Sequence, residues 1–194
     1  MWNSQVIIML LEGIRDTLYM TLASTLFGYI IGLPMGIVLT VTDKDGIRPN
    51  AAVYKVLDVI SNLLRSIPFI ILLIVLIPFT RFVVGRSYGS TATIVPLTIA
   101  AAPYIARMVE SSLKEVDAGV IEAARSMGAS DFQIVTKVML VEARTSLIVG
   151  ATISLGTILG YSAMAGTVGG GGLGDIAIRY GYTRWQTDIM VVTV

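Results

Sequence analysis

The chain has no cysteine and no histidine. The first absence excludes a disulfide framework and a thiolate site. The second excludes a histidine-ligated metal, a Ser-His-Asp triad and a histidine proton relay. Charge is scarce too: Asp, Glu, Lys and Arg supply 14% of the residues and the formal net charge is +1, which gives no sign of a nucleic-acid partner. Neither Gly-Lys-Ser nor Gly-Lys-Thr occurs, so the lysine-bearing phosphate loop is missing and any ATP must be hydrolysed by another chain. The start, MWNSQVIIMLLEGIRD, lacks the basic head and small-residue cleavage site of a removed signal peptide.

What the chain does have is apolar surface. A hydrophobic fraction of 55% with a mean hydropathy of +0.80 points to a polytopic membrane protein, an all-α helix bundle forming a single domain over residues 1–194. About 30 Å of hydrocarbon needs roughly 20 apolar residues. Runs of that kind predict spans from about Thr17 to Thr42, around Ile67 to Phe79 with a start near Val53, from about Thr91 to Leu113, and from about Val138 to Val168. A fifth is only begun at IMVVTV before Val194. Half a span would leave backbone groups unpaired in lipid, so about five spans are expected, the last incomplete, with the polypeptide continuing.

Lysine and arginine set the orientation. If the connections between spans one and two and between spans three and four face the cytoplasm, they carry Lys44, Arg48, Lys55, Arg107, Lys114, Arg125, Lys137 and Arg144. The other side carries Arg15, Arg81, Arg86, Arg179 and Arg184, with Arg65 near a boundary. This places the N-terminus outside and the segment of about residues 115–137 inside.

That segment contains EAARSMGASDFQIVTKVMLVEA, which starts at Glu122. Asp117 suits a helix N-cap, Gly128 a left-handed helix end, and Ser130 with Gln133 a capping box that starts a second helix. Were the two helices coaxial, Ile121, Ala124, Gly128, Phe132, Val135 and Met139 would share a face, with Glu122, Ser126, Ser130, Gln133 and Lys137 opposite. Spacing alone leaves three readings open: an ordinary connection resting on its own bundle, a DNA-reading helix-turn-helix, and a helix that docks in a groove of another protein. The DNA reading lacks its basic surface, because Glu122 and Asp131 offset Arg125 and Lys137.

Other positions carry weaker signals. Gly28, Gly32 and Gly36 form a small-residue face that lets two helices approach closely. In SLIVGATISLGTILGYSAMAG, the residues Ser154, Gly156, Thr157, Gly160, Tyr161 and Ser162 mark either a pathway or dimer seam, or plain interhelical hydrogen bonding. Pro34, Pro68, Pro78, Pro96 and Pro103 are read as kinks. Arg65 either pairs with Asp58, reaches the headgroups or holds a substrate carboxylate, and the second is favoured. Gly169, Gly171 and Gly174 match GxGxxG spacing, but a dinucleotide site requires a preceding strand, which a membrane helix does not supply.

Glu122-Ala123-Ala124, then three residues, then Gly128, resembles the EAA signature of permease subunits of bacterial ABC importers. RSIPFIILL from Arg65 and AGTVGGGGLGDIAIRYGYTRW from Ala165 resemble the methionine importer permeases in particular. Where the family usually has Leu-Pro, this chain has Leu140-Val141, which predicts an unbroken helix into span four. The resemblance implies a type I ABC importer permease fold. It further implies an inner-membrane homodimer that moves methionine by alternating access, with Glu122, Ala123, Ala124, Gly128, Ser130 and Phe132 as the ATPase-coupling residues. The implied partners are a second copy, two cytoplasmic ATPase subunits that bind the ATP and Mg, an extracytoplasmic binding protein meeting outer loops such as GGGGLG, a small-molecule substrate and lipid. The chain itself is expected to bind no cofactor, metal or nucleic acid and to catalyse no reaction. A permease for an osmoprotectant or phosphonate, and a channel or scaffold without an ATPase, are the alternatives.

Overall fold

The computed structural model describes residues 4–194, so the first three residues of the stretch read above for a signal peptide and for the position of the N-terminus lie outside it. Helix α1 spans Ser4–Thr42, α2 Ala51–Ser66, α3 Phe69–Val75, α4 Ile77–Val84 and α5 Ser90–Lys114. Helix α6 is Ala118–Ser126, and α7, Asp131–Gln133, passes through a π-helical turn at Ile134–Met139 into α8, Leu140–Glu142, and α9, Arg144–Ala165. A 3-10 turn at Gly166–Val168 leads to α10, Gly172–Ile176, a second π-helical turn at Ala177–Tyr182, and α11, Thr187–Thr193. No strand occurs among the described residues.

Ser4–Thr42, Ser90–Lys114 and Arg144–Tyr182 are long and apolar enough to cross a membrane, and α2 with α3 adds a fourth crossing if the bent pair counts as one. Three spans differ from expectation, the fourth running over Arg144–Tyr182 and not about Val138 to Val168. α1 begins at Ser4 and not near Thr17, because the apolar run continues upstream and Arg15 pairs with Asp16 at 3.1 Å without interrupting the helix. The second span is divided, not merely kinked. Pro68 caps α3 in an extended conformation (ψ 133) and Pro78 stands at the start of α4. Proline lacks the N–H that would continue a helix, and it forces its predecessor out of the helical region. The fifth expected span corresponds to the seven residues of α11.

The described residues form two compact units. One contains the chain up to Phe27, Ile67–Ala100 and Leu155–Val194. Its core is Met20, Phe69, Leu73, Leu97 and Ala165, with Tyr161 stacked on Phe69 at a ring separation of 4.7 Å. The glycine-rich segment is anchored here. The Gly89 N–H donates to the Gly169 carbonyl at 2.9 Å, the Thr93 hydroxyl to the Gly170 carbonyl at 3.1 Å, and the Leu173 N–H to Thr17 Oγ1 at 2.9 Å. Gly171 and Gly172, at φ of +83° and +74°, adopt backbone that other residues resist. The segment is therefore neither a loose turn nor a freely displayed loop, since Gly170 and Gly172 are buried.

The other unit contains Gly28–Ser66 and Ala101–Ser154. Here Gly28, Gly32 and Gly36 are buried against α5. A Cβ built on Gly32 would stand 2.6 Å from the Ala102 carbonyl oxygen, and one on Gly36 would stand 2.5 Å from that of Ala106. Lipid tails are as apolar as leucine, so burial from water does not hold such helices together. Close backbone approach and dispersion do, as the every-fourth glycine spacing indicates.

Candidate coupling site at the helix elbow

The elbow between α6 and α7 is built from local signals. The Asp117 carboxylate accepts from the Gly119 N–H at 2.8 Å and starts α6. At the other end the Gly128 N–H donates to the Arg125 carbonyl at 3.0 Å, and the Ala129 N–H donates to the Ala124 carbonyl at 3.1 Å. With Gly128 at φ +82° this is a Schellman turn, which satisfies carbonyls that a helix end otherwise leaves open. Ser130 and Gln133 close a capping box: the Ser130 N–H donates to Gln133 Oε1 at 2.9 Å, and Ser130 Oγ accepts from the Gln133 N–H at 3.4 Å.

The face expected for coaxial helices does not survive this turn. Ala124, Val135 and Met139 are buried and Ile121 is half-buried, whereas Gly128 and Phe132 are exposed. The Schellman turn redirects the chain between the helices. The wider π-helical turn then places Ile134, Val135 and Met139 together on the inner side. It also corrects the expectation of an unbroken helix into span four: the path runs through a π turn and a second irregularity at Ala143 (ψ 0) before α9. The result is an apolar pair on the rim of the elbow, Met127 at 82% and Phe132 at 76% exposure. Glu122, Ala123 and Ser130 are exposed around it. Two apolar side chains held outward by a fixed turn suit a partner's groove.

Behind the elbow, the Arg125 guanidinium donates to the Ile47 carbonyl at 2.8 Å. A cleft of about 710 Å³ lies between the 43–47 loop and α6, lined in part by Asp43, Lys114, Ile121, Glu122 and Arg125.

The polar positions of span four do not make one surface. Ser154 and Ser162 are buried, and their hydroxyls donate to the carbonyls of Gly150 at 2.8 Å and Leu159 at 2.7 Å in their own helix. Tyr161 belongs to the core with Phe69, and Thr157 is half-buried. Only Gly156 and Gly160 face outward, with nothing within 4 Å of a Cβ built there. The expected cluster therefore divides between an inner and an outer face. A serine can meet its hydrogen-bonding need within one helix, so a hydroxyl at membrane depth does not by itself mark a pathway.

Sequence reasoning missed an ionic chain in the same unit as the elbow. Glu110, 4% exposed, accepts from Arg107 at 2.7 Å and from Lys114 at 2.8 Å. Arg107 also pairs with Asp58, and Lys114 with Asp43 at 2.5 Å. Asp58 is thus the partner of Arg107, not of Arg65, which is exposed. The signal was present: Arg107, Glu110 and Lys114 stand three and four residues apart on one face of an apolar helix.

The Lys114 ammonium, hydrogen-bonded to Asp43, holds that carboxyl below the usual aspartate range; partial burial opposes the shift, and the Lys44 N–H and charge assist it. A carboxylate depressed in the fold stabilises it fully above the unfolded value, and that contribution is lost as pH falls through the folded one. The 43–50 loop is therefore expected to stay tied near neutrality and to loosen below about pH 4. Amide protection factors of residues 44–48, each taken against its intrinsic exchange rate at the same pH, should fall on acidification in the wild type and be already low at neutral pH in Asp43→Asn. Equal exchange in the two proteins across the range would show that the pair does not hold the loop.

An apolar helical bundle that turns a rigid, partly apolar elbow outward has the form of a membrane subunit that works with partner chains. This chain belongs to the family of binding-protein-dependent transport system inner membrane components, which it matches over residues 17–193. It is 48% identical over 186 residues to the probable D-methionine transport system permease protein MetI of Vibrio cholerae, covering 96% of this chain and 83% of the relative. It is 54% identical over 158 residues to the D-methionine transport system permease protein MetI of Escherichia coli K12, covering 81% and 73% respectively. Among solved structures it resembles inward-facing conformations of the MetNI methionine ABC transporter, with a TM-score of 0.97 and 50% identity over 99% of this chain and 89% of the other. The chain is a multi-pass inner-membrane permease subunit with the type I permease fold, and it is not an enzyme.

Proposed function

We propose that this chain is the membrane-spanning subunit of an ATP-driven importer that carries methionine, in D and L forms, into the cell. The observation that carries this reading is the agreement, at 50% identity and a TM-score of 0.97, with the permease of a methionine ABC transporter. The D-methionine permeases that align with it support the same substrate. Two copies related by a two-fold axis enclose the pathway, with the outward Gly156 and Gly160 available to a seam between them. Two cytoplasmic ATPase subunits supply the ATP and Mg²⁺ chemistry, and an extracytoplasmic binding protein delivers the substrate. The lysine and arginine bias puts the N-terminus outside and the segment of about residues 115–137 in the cytoplasm.

In this reading Glu122, Ala123, Ala124, Gly128, Ser130 and Phe132 form the coupling element. Met127 and Phe132 enter a cleft of the ATPase, and the capped turn at Gly128 passes the ATPase's movement toward α9 through the π-helical turn at Ile134–Met139. Closure of the ATPase pair draws the two elbows together, and the subunits exchange inward-open for outward-open forms as binding in the two states differs.

The test is uptake into proteoliposomes that hold the complete complex and its binding protein. Labelled methionine should accumulate only with ATP, and excess unlabelled D- or L-methionine should compete while a betaine or a phosphonate should not. ATP-driven accumulation of one of those solutes in place of methionine would overturn the substrate, and equilibration without ATP would indicate a channel.

A further inference from the structure

Glu110 sits within the last two turns of α5, in a helix that is otherwise mostly apolar, and is 4% exposed. A carboxylate so placed is costly unless its charge and lone pairs are met. Three donors meet it: the Tyr54 hydroxyl at 3.2 Å and the Lys114 ammonium at 2.8 Å on Oε1, and the Arg107 guanidinium at 2.7 Å on Oε2. Each cation also reaches a further segment. Arg107 bonds Asp58 and, at 3.2 Å, Asn62 Oδ1, both on α2. Lys114 bonds Asp43 at 2.5 Å, one residue past the end of α1. The loop that follows Asp43 is held again at Ile47, whose carbonyl accepts from Arg125 of α6 at 2.8 Å. Only Glu115, Val116 and Asp117 separate α5 from α6.

We propose that Glu110 is a positioning residue for transport. Its ion chain, Asp43–Lys114–Glu110–Arg107–Asp58, braces the end of α1, helix α2 and the end of α5 as one body behind the elbow. Movement of α6 then reaches α1 and α2 directly, as well as α9 through α7. This rests on the reading of the elbow as the ATPase's docking element.

Stability alone does not account for the arrangement. Apolar residues of similar volume commonly stabilise a core as well as a buried ion chain or better, and the Arg107 Nε–H remains buried without a partner, a residual cost. What two cations, each shared between two carboxylates, add is fixed geometry among three helices.

No cysteine of the sequence given competes with a pair introduced into this chain. Wild type, Glu110→Gln and Asp43→Cys/Lys114→Cys are reconstituted as the complete complex, and solute moved per ATP hydrolysed is measured. The cysteine pair is assayed open and after bridging with a short bifunctional thiol reagent, with the single-cysteine variants as controls. Glu110→Gln and the open pair are expected to lower the transport ratio at least about fivefold, the lower range of coupling between sites, with hydrolysis kept within about twofold of wild type. Bridging should restore the ratio. A wild-type ratio in both variants, a parallel loss of hydrolysis and uptake, or a bridged pair that stays uncoupled would each overturn the brace. If Glu110→Gln does not insert, the cysteine pair decides on the same criteria. A wild-type complex without ATP-driven uptake would instead overturn the functional reading, and the brace with it.

Discussion

Phe132→Asp is expected to strip the ATPase from the complex while leaving the permease folded. Phe132 is 76% exposed and Met127 82%, so neither supports its own chain's core. A phenylalanine buried at an interface contributes about 1.5–3 kcal/mol, and a carboxylate put in its place must be desolvated without a partner. Central aromatic anchors typically cost 2 kcal/mol or more on truncation, so the ATPase's affinity should fall by at least about thirtyfold. Co-purification and thermal unfolding of the isolated permease, compared with wild type, would show the separation of effects. An intact complex would mean that this rim faces water in the assembly. A permease that no longer inserts would mean that Phe132 serves folding.

Gly32→Leu should act in the opposite way, destroying the fold before any question of partners arises. The added Cβ would stand 2.6 Å from the Ala102 carbonyl oxygen and 2.9 Å from Ile105 Cβ. A backbone oxygen cannot swing aside as a side-chain tip can, so α1 and α5 would have to part. Overpacking of this kind costs about 1–3 kcal/mol or more, and the displaced helices would lose the close contact that stands in for the hydrophobic effect in lipid. The expected result is a sharp drop in detergent-stable protein. Gly156→Ala, where nothing lies within 4 Å, should retain the subunit's own stability. Comparable yields of Gly32→Leu and wild type would contradict the packing described for the α1–α5 contact.

The features legible in the sequence were those set by neighbouring residues. Asp117, Gly128 and the pair Ser130 and Gln133 each act over a few residues of chain, and all take the predicted form. The Gly28, Gly32 and Gly36 spacing also sufficed, because a helix fixes which side those positions share. Phe132 does not share the face of Ala124, Val135 and Met139 that coaxial helices would give it, because a Schellman turn followed by a π-helical turn alters the rotation between the helices. The break at Pro68 was read as a bend, since proline's local effect is certain but its tertiary outcome depends on what satisfies the freed groups. The Glu110 chain joins residues on three segments, among them Asp43, Asp58 and Lys114, and one sequence records no such pairing. Ser154 and Ser162 are buried while Gly156 and Gly160 face outward on the same helix, a division set by how α9 packs, which one sequence does not record.

The proposed function requires that a separate ATPase dock on the elbow and drive transport through this chain. Its most direct test is gentle detergent purification of the chain from its own cell, with the intact complex weighed and its components identified by mass. Two copies of this chain with two copies of an ATPase that carries a phosphate-loop lysine are expected, with loss of that ATPase in Phe132→Asp. A homo-oligomer free of any ATPase, recovered under conditions that keep other importers intact, would contradict it.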